Sequence, residues 1–321
     1  MEESEGVNIL LNYRYKNERL EEALQSLGHI VLYNLWGIKE ILAQQIDTVI
    51  FEFKQILKEE WRFFNLALRL KKYGLPRVTW CLDLPNYGAS HWKLPVIKKT
   101  GLLDVFASYS LQGLSGTRMK VLYLPNAAWM SKYNLRQTTL EDLRNPDRYE
   151  NDVSFLGNID SKKYPEHRER TEFLYSLGRL LNDQKISYRF LDSRILDYDT
   201  QVGIIQKSKI NINVGCAADT AAERSWGLPE RCYGIPVCGG FLLSDERLHA
   251  KEDFVAGEEI IMFSNLEDCV KKIKYYLSAH EERRKIAENA YRKVLAEHTY
   301  RHRADKLVNC IKEFKADRCR N

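Results

Sequence analysis

Long apolar stretches and paired cysteines are both missing from this sequence of 321 residues. No run approaches the roughly 20 apolar residues that span a bilayer. The first five residues are acidic and lead into a short apolar run, so the basic flank and long apolar core of a signal peptide are absent. The seven cysteines include no Cys-x-x-Cys pair and lie mostly in apolar runs, which predicts buried thiols, a reducing cytoplasm and no zinc site.

A strong charge of either sign is missing as well. The 49 Lys and Arg residues exceed the 44 Asp and Glu residues by a net charge of +5, and both signs are interspersed along the chain. This mild excess suits an anionic small ligand such as a nucleotide, and it permits contact with nucleic acid without indicating it. With 44% hydrophobic residues, 17 Gly and 8 Pro, the composition is that of an ordinary folded protein, and the length suggests two domains at about 150 residues each.

Short apolar runs alternate with amphipathic stretches along the whole chain, which predicts a doubly wound α/β architecture. The first series has strands expected at 7–11, 30–33, 48–53, 78–82, 105–108 and 120–124, with helices near 17–27, 55–72 and 93–100. The second has strands expected at 153–156, 188–191, 210–214, 241–243 and 260–263, with helices near 166–182, 198–207, 228–234 and 265–278. A polar stretch at 130–150 has no clear period and is interpreted as the linker.

The two series predict two Rossmann-like domains, over residues 1–145 and 146–300. A stretch rich in Lys, Arg and Glu at 281–317 predicts a continuous helical region, and its end, 301–321, is expected to pack back on the first domain. Ligands of such sheets bind outside the carboxyl ends of the strands. We therefore expect the functional residues in loops that follow strands, facing a crevice between the domains.

Residues 208–245 contain the most informative of these loops. A buried strand ends at Gly215, and Gly-Leu-Pro-Glu at 227–230 is typical of the start of a helix. The pair Gly239–Gly240 then opens a turn before the next strand. Backbone N–H groups at such a helix start and turn could cradle phosphate oxygens, whereas the alternative is a tight structural connection.

Several motifs together resemble the CgeB-like glycosyltransferases of the group-1 type, relatives of a spore-maturation protein. A strand ending in Asn-Val, a Gly-Leu-Pro helix start, Arg-Cys-Tyr and Cys-Gly-Gly-Phe-Leu-Leu-Ser-Asp follow one another within 213–245. Val-Ser-Phe-Leu-Gly-Asn at 153–158 is similar to the family's opening of the second domain, and His-Thr-Tyr at 298–300 to its C-terminal segment. Val-Thr-Trp-Cys-Leu-Asp-Leu-Pro at 78–85 resembles its N-terminal strand and Asp-x-Pro turn.

This resemblance implies a GT-B fold, in which two Rossmann-like domains face each other across a cleft and C-terminal helices close over the interface. It implies that residues 146–300 hold a nucleotide-diphosphate sugar, with a UDP-sugar favoured, and that residues 1–145 hold the acceptor. Such enzymes usually require no metal ion, so helix N-termini and basic side chains offset the charge of the diphosphate. The expected reaction moves the sugar to a hydroxyl of a glycan, a protein or a small molecule.

The donor site implied by the resemblance combines turns after strands with basic side chains. Its candidate residues are Gly157, Asn158, Arg168, Asn213, Gly215, Glu230, Arg231, Gly239 and Gly240, with Arg170 as a further choice. Arginine suits phosphate because its planar fork makes two parallel hydrogen bonds, although Arg168 and Arg170 could equally be solvated. Gly234 stands where the family generally has an acidic residue for the donor ribose. Glu230 is the candidate substitute because residues i and i+4 share a helix face.

Two residues of the first domain are candidates for the catalytic base. Asp83 follows the strand expected at 78–82, where a carboxylate could activate or orient the acceptor hydroxyl, and the alternative is a cap of the turn before Pro85. His91 lies in the same loop and is the second candidate, with a solvated loop histidine as the alternative. His298 and His302 are four apart on an expected helix, where a structural role is favoured over metal binding.

Two further functions remain open from the sequence. A phage-type relative would glycosylate a hydroxylated base in DNA, which the mild positive charge permits and which requires extrusion of the base. A catalytically degenerate relative would bind a nucleotide or glycan without transfer, with Gly234 as its mark. In that case the substitution Gly234→Glu is expected to strengthen nucleotide binding.

Overall fold

The computed structural model describes residues 6–82, 85, 90–215 and 227–320, and the chain divides into two compact units. Unit 1 contains Met1–Pro125 and Tyr300–Asn321, and unit 2 contains Asn126–Thr299. The first boundary therefore lies near residue 125, twenty residues before the one expected from the sequence. The chain after residue 299 belongs with unit 1.

Unit 1 is built on a sheet of six parallel strands. They are β1 Asn8–Asn12, β2 Ile30–Tyr33, β3 Thr48–Glu52, β4 Arg77–Cys81, β5 Val105–Ser108 and β6 Lys120–Tyr123. Their order across the sheet is β2-β1-β3-β4-β5-β6. The helices of this part of the chain are α1 Glu18–Ser26, α2 Ile38–Ala43, α3 Phe53–Lys58, α4 Glu60–Lys72 and α5 Ser90–Thr100.

These strands form where apolar residues run continuously, because a parallel sheet is covered on both faces. Ile9 and Leu10 in β1 and Val49 in β3 are fully buried. The helix expected at 55–72 is in fact two helices, α3 and α4, with Glu59 between them. Helix α2 was not predicted, because its six residues are too short to display a helical period.

Unit 2 is built on a second parallel sheet. Its strands are β7 Asn151–Gly157, β8 Tyr188–Asp192, β9 Ser208–Asn213, β10 Leu242–Asp245 and β11 Ile261–Phe263, in the order β11-β10-β9-β7-β8. Its helices are α6 Arg168–Asp183, α7 Tyr198–Gln206, α8 Arg231–Val237, α9 Ala250–Asp253, α10 Leu266–Ser278 and α11 His280–Glu297. Because every pairing is parallel, the carboxyl ends of these strands meet at one edge of the sheet.

The polar stretch interpreted as a linker packs on unit 2 instead. We call residues 126–150 the connecting segment. Thr138 Oγ1 donates to Gln206 Oε1 of α7 at 3.2 Å, and Gln206 Nε2 donates to the carbonyl oxygen of Leu135 at 3.0 Å. Leu143 of the same segment is buried. Many of its polar groups therefore bond to the protein, although its composition resembles that of a solvated linker.

The helical region expected to be continuous over 281–317 is interrupted at His298 and Thr299. There the N–H of Ala128 donates to the carbonyl oxygen of His298 at 2.9 Å, and Ala128 forms an isolated bridge with Thr299. The chain then forms α12 Tyr300–Arg320, which packs against α1, and Arg19 Nη1 donates to Tyr300 Oη at 3.3 Å. None of the helices in the described ranges is both long and apolar enough to cross a membrane.

Candidate functional site

Asn213 and Asp245 end two neighbouring strands, β9 and β10, at the carboxyl edge of the unit 2 sheet. Asn213 Nδ2 donates to Asp245 Oδ1 at 2.8 Å, and the N–H of Gly215 donates to Asp245 Oδ2 at 2.9 Å. Arg247 Nη2 donates to the same Oδ2 at 2.8 Å. Asp245 therefore fixes the end of β9 and the turn after it, while Arg247 balances its charge.

Arg231, the first residue of α8, reaches the same edge. Its guanidinium donates to Asn213 Oδ1 and, at 2.7 Å, to the carbonyl oxygen of Gly215, and it lies 5.1 Å from the centre of the Phe155 ring. Gly157 leaves room for this arrangement, because a Cβ there would lie 2.8 Å from Phe155 Cζ and would also meet Arg231 Nη1. The structure thus brings together four of the predicted residues: Gly157, Asn213, Gly215 and Arg231.

The two arginines at the start of α6 have different surroundings. Arg170 is only 5% exposed, and it donates from Nε to the carbonyl oxygen of Val214 at 2.9 Å and from Nη1 to that of Asn158 at 2.8 Å. It ties the end of β9 to the turn after β7, so Arg170 and Asn158 adjoin the site. The Arg168 side chain is 79% exposed and pairs with Glu172 at 3.1 Å. For Arg168 the structure therefore favours the alternative of a solvated side chain over a phosphate ligand.

The Gly239–Gly240 turn lies away from the carboxyl edge of the sheet. The expectation that this turn belongs to the phosphate site is therefore wrong. The turn precedes β10, and the chain advances five positions from Gly240 to Asp245, or about 16 Å at about 3.3 Å per strand residue. Gly239 has a φ of +79°. A Cβ on Gly240 would lie 2.7 Å from Ile205 Cγ2 and 2.9 Å from Asn211 Nδ2. The turn is therefore a tight structural connection at the amino edge of the sheet.

A cavity of about 170 Å³ lies within unit 2. Its walls come from β7, β9, α7, α8 and the connecting segment. Glu230 and Gly234 both line it, as expected for residues one helical turn apart, and Arg231 joins it to the cluster at the carboxyl edge. The lining residues are Tyr133, Ser154, Leu156, Ser193, Gln201, Ile205, Asn211, Ile212, Glu230, Arg231, Gly234 and Ile235.

A family model described as glycosyl transferase-like matches residues 136–309, more than half of the chain. The chain belongs to this family. The match includes β7 to β11 and the Arg231 cluster, and it confirms the prediction that the protein is a glycosyltransferase. No curated protein matches the chain in sequence.

Solved structures of similar fold span nearly the whole glycosyltransferase. Sucrose-phosphate synthase from Thermosynechococcus elongatus has a TM-score of 0.62 and 10% identity, covering 97% of this chain and 100% of that one. HepE from Anabaena in complex with UDP-glucose has a TM-score of 0.56 and 11% identity, covering 95% and 99%. A UDP-forming α,α-trehalose-phosphate synthase from Burkholderia xenovorans has a TM-score of 0.61 and 10% identity, covering 96% and 99%. The predicted fold class, two Rossmann-like parallel sheets of the GT-B type, is confirmed.

For the two predicted catalytic residues, Asp83 and His91, the structure describes only the backbone of His91. Asp83 lies outside the described residues. The backbone of His91 is in the first turn of α5, while its side chain lies outside the described part. Both positions follow β4 in the chain, and their catalytic roles stay predictions.

Other polar residues mark the carboxyl edge of the unit 1 sheet and were not predicted. Asn12 ends β1 and is fully buried, and Glu52 ends β3 and accepts a hydrogen bond from the N–H of Arg14 at 3.1 Å. Burial raises the pKa of Tyr13, and the charge of Glu52 raises it further. Tyr13 therefore stays a neutral phenol, able to donate a hydrogen bond.

His298, Cys232 and Cys238 are buried in unit 2 and have structural surroundings. His298 Nε2 donates to the carbonyl oxygen of Asp253 at 2.8 Å, and Tyr233 Oη donates to the carboxylate of the same residue at 2.8 Å. Burial raises the pKa of the Cys232 and Cys238 thiols to about 12. Within the described residues, no three side chains of His, Cys, Asp or Glu are grouped so as to hold a metal ion.

Proposed function

We propose that this glycosyltransferase is a CgeB-like enzyme that transfers a sugar from a nucleotide-diphosphate sugar, a UDP-sugar in the first instance, to an acceptor hydroxyl without a metal ion. The observation that carries the proposal is the convergence of Arg231, Asn213, Gly215 and Gly157 at the carboxyl edge of the unit 2 sheet. The similar structures of HepE in complex with UDP and with UDP-glucose support a uridine donor.

Arg231 is the residue that we assign to the diphosphate. Its planar guanidinium suits two phosphate oxygens, and its bonds to Asn213 and Gly215 hold the group in a defined position. Arg170 is buried near the end of β9 and adds positive charge. In the transition state negative charge develops on the departing nucleoside diphosphate, and fixed positive charge stabilises it in the role that a divalent ion has in other enzymes.

Unit 2 then holds the donor and unit 1 the acceptor. Asp83 is the proposed base for the acceptor hydroxyl and His91 the second choice, since both follow strand β4 of unit 1. The base removes the hydroxyl proton as the oxygen attacks the anomeric carbon, and the bond to the diphosphate breaks. Comparison of sugar transfer by Asp83→Asn and His91→Gln variants identifies which of the two removes the proton.

Nucleotide binding tests the proposal directly. Thermal unfolding is measured with UDP, GDP, ADP, CMP and TDP, each with magnesium and with EDTA. A ligand at 100 times its Kd stabilises the folded state by about 2.7 kcal/mol, so we expect one diphosphate, UDP, to raise the Tm equally under both conditions. No shift with any nucleotide at millimolar concentration contradicts donor binding, and a shift lost in EDTA contradicts metal independence.

The role of Arg231 is tested with three variants. Arg231→Met is expected to lose the UDP shift, while Arg231→Lys keeps the charge, loses the fork and retains a reduced shift. Arg168→Met is the control, because that arginine is 79% exposed and pairs only with a neighbouring turn of its own helix in the contacts described. An unchanged UDP shift in a folded Arg231→Met protein refutes the assignment of Arg231 to the diphosphate.

A further inference from the structure

Tyr133 of the connecting segment forms one wall of the cavity in unit 2. Its ring lies against Gly234 of α8, so that a Cβ on this glycine would be 3.5 Å from Tyr133 Cγ and 3.6 Å from Cδ2. Its hydroxyl donates to Gln201 Oε1 at 2.7 Å. Tyr133 thus occupies the space that a longer side chain at position 234 would need.

Gln201 holds the Tyr133 hydroxyl in a fixed orientation. The Gln201 side chain is buried, and its Nε2 donates to the carbonyl oxygens of Ser193 and Leu196, both at 3.0 Å. These two bonds fix which end of the amide faces Tyr133, because only the oxygen is left to accept. A hydroxyl whose proton goes to Gln201 presents its oxygen to a ligand as an acceptor.

The size and chemistry of the cavity suit one ring of a larger ligand. At about 170 Å³ it is smaller than the roughly 300–1,000 Å³ of a pocket for a whole ligand. Glu230 and Ser193 line it together with Tyr133. Carboxylate and hydroxyl oxygens can accept hydrogen bonds from sugar hydroxyls, and a carboxylate repels phosphate. Arg231, which also lines the cavity, leads from it to the proposed diphosphate position.

We propose that Tyr133, seated on Gly234 and oriented by Gln201, is a nucleotide-binding residue that supplies a hydrogen-bond acceptor to the pentose hydroxyls of the donor. Gly234 is then the matched partner of Tyr133, because the absence of a side chain gives the ring its place. This inference rests on the proposed function, since it takes the ligand to be a nucleoside diphosphate.

The inference reverses the expectation for Gly234→Glu. A Cβ at position 234 already touches the Tyr133 ring, so we expect the longer side chain of a glutamate to push the ring aside and weaken its hydrogen bond to Gln201. We therefore expect Gly234→Glu to weaken UDP binding in the wild-type background.

The test measures Kd by calorimetry for UDP and for 2′,3′-dideoxy-UDP, which lacks both pentose hydroxyls. Tyr133→Phe is expected to weaken UDP binding roughly 3- to 10-fold, the loss of one hydrogen bond, and to leave the dideoxy ligand unchanged. In Tyr133→Phe the Kd for the dideoxy ligand divided by the Kd for UDP is therefore expected to fall towards one. Tyr175→Phe is the matched control, because that tyrosine is 70% exposed on α6.

A second comparison tests the pairing of Tyr133 with Gly234. Gly234→Glu is expected to weaken UDP binding more than Tyr133→Phe does, and adding Tyr133→Ala is expected to restore part of the loss. An unchanged Kd ratio in Tyr133→Phe, or tighter UDP binding by Gly234→Glu alone, overturns the inference. If the wild-type chain binds no UDP, the proposed function and this inference fail together. If it binds UDP through Arg231 but the ratio does not move, only this inference fails.

Discussion

Alanine at Gly239 or Gly240 distinguishes a packed turn from a phosphate cradle. Both glycines are buried. A Cβ on Gly240 would lie 2.7 Å from Ile205 Cγ2 and 3.0 Å from Ile235 Cγ2, and one on Gly239 would lie 3.0 Å from Leu135 Cδ2 and would also meet Leu143. Either substitution therefore forces the surrounding side chains to move.

The magnitudes follow from two separate costs. Extra volume in a packed core typically costs about 1–3 kcal/mol, which is the expected loss for Gly240→Ala. Gly239 has a φ of +79°, and a residue with a Cβ pays about 1–2 kcal/mol more in this left-handed region. We therefore expect Gly239→Ala to cost about 2–5 kcal/mol. A loss of 2 kcal/mol in a unit of this size lowers the Tm by about 4–8 °C.

Urea unfolding followed by circular dichroism measures these losses, and the chain supplies matched controls. Gly257 has a φ of +87° with no atom within 4 Å of the added Cβ, so Gly257→Ala reports the left-handed cost alone. Gly203 lies in α7 with similar open space and an ordinary φ, so Gly203→Ala is expected to stabilise by about 0.5–1 kcal/mol. UDP binding by folded Gly239→Ala is expected to match the wild type, because the side chains that its Cβ would meet, those of Leu135, Leu140 and Leu143, do not line the cavity. A Gly239→Ala protein that is as stable as the wild type but no longer binds UDP would falsify the placement of this turn away from the site.

Two more predictions concern buried groups. Arg77 donates from Nε to Asp104 Oδ2 at 2.8 Å within the unit 1 core. Arg77→Met leaves this buried carboxylate without its charged partner, so we expect it to lower the free energy of unfolding in urea by about 3–5 kcal/mol. A decrease below about 1 kcal/mol contradicts this role. The Cys232 and Cys238 thiols, whose pKa burial raises to about 12, are expected to resist iodoacetamide at pH 8 until the chain unfolds, as mass spectrometry can follow. Labelling of either thiol in the folded protein within minutes speaks against this burial.

The strands were predictable because a buried parallel strand is a continuous apolar run. Strands β2 and β5 have the bounds expected from the sequence, β1 and β4 are each displaced by one residue at both ends, and β3 ends one residue earlier than expected. The connecting segment was misinterpreted because its partners are distant in sequence. Thr138 bonds to Gln206, and Leu143 lies beside Gly239, contacts that no local pattern reveals.

The residues proposed for the donor were predictable where they lie at the carboxyl ends of strands, since ligands of parallel sheets bind there. Gly157, Asn213 and Gly215 lie at or just after strand ends, and the same rule applied to β10 selects Asp245, which was missed. Gly239–Gly240 was misplaced because a turn that precedes a strand lies at its amino edge. Tyr133 gave no signal, since it is about a hundred residues from Gly234 and their contact depends on the fold.

The division of the chain also sets the order in which its parts become complete during synthesis. Unit 2 is one uninterrupted stretch, whereas unit 1 needs both Met1–Pro125 and Tyr300–Asn321. At about 5–20 residues per second, a ribosome takes about 9–35 s to pass from residue 125 to residue 300. Throughout that interval α1, whose Leu20 and Leu24 are buried in the finished protein, lacks its α12 neighbour. The part of the molecule that is translated first is therefore the last to be finished.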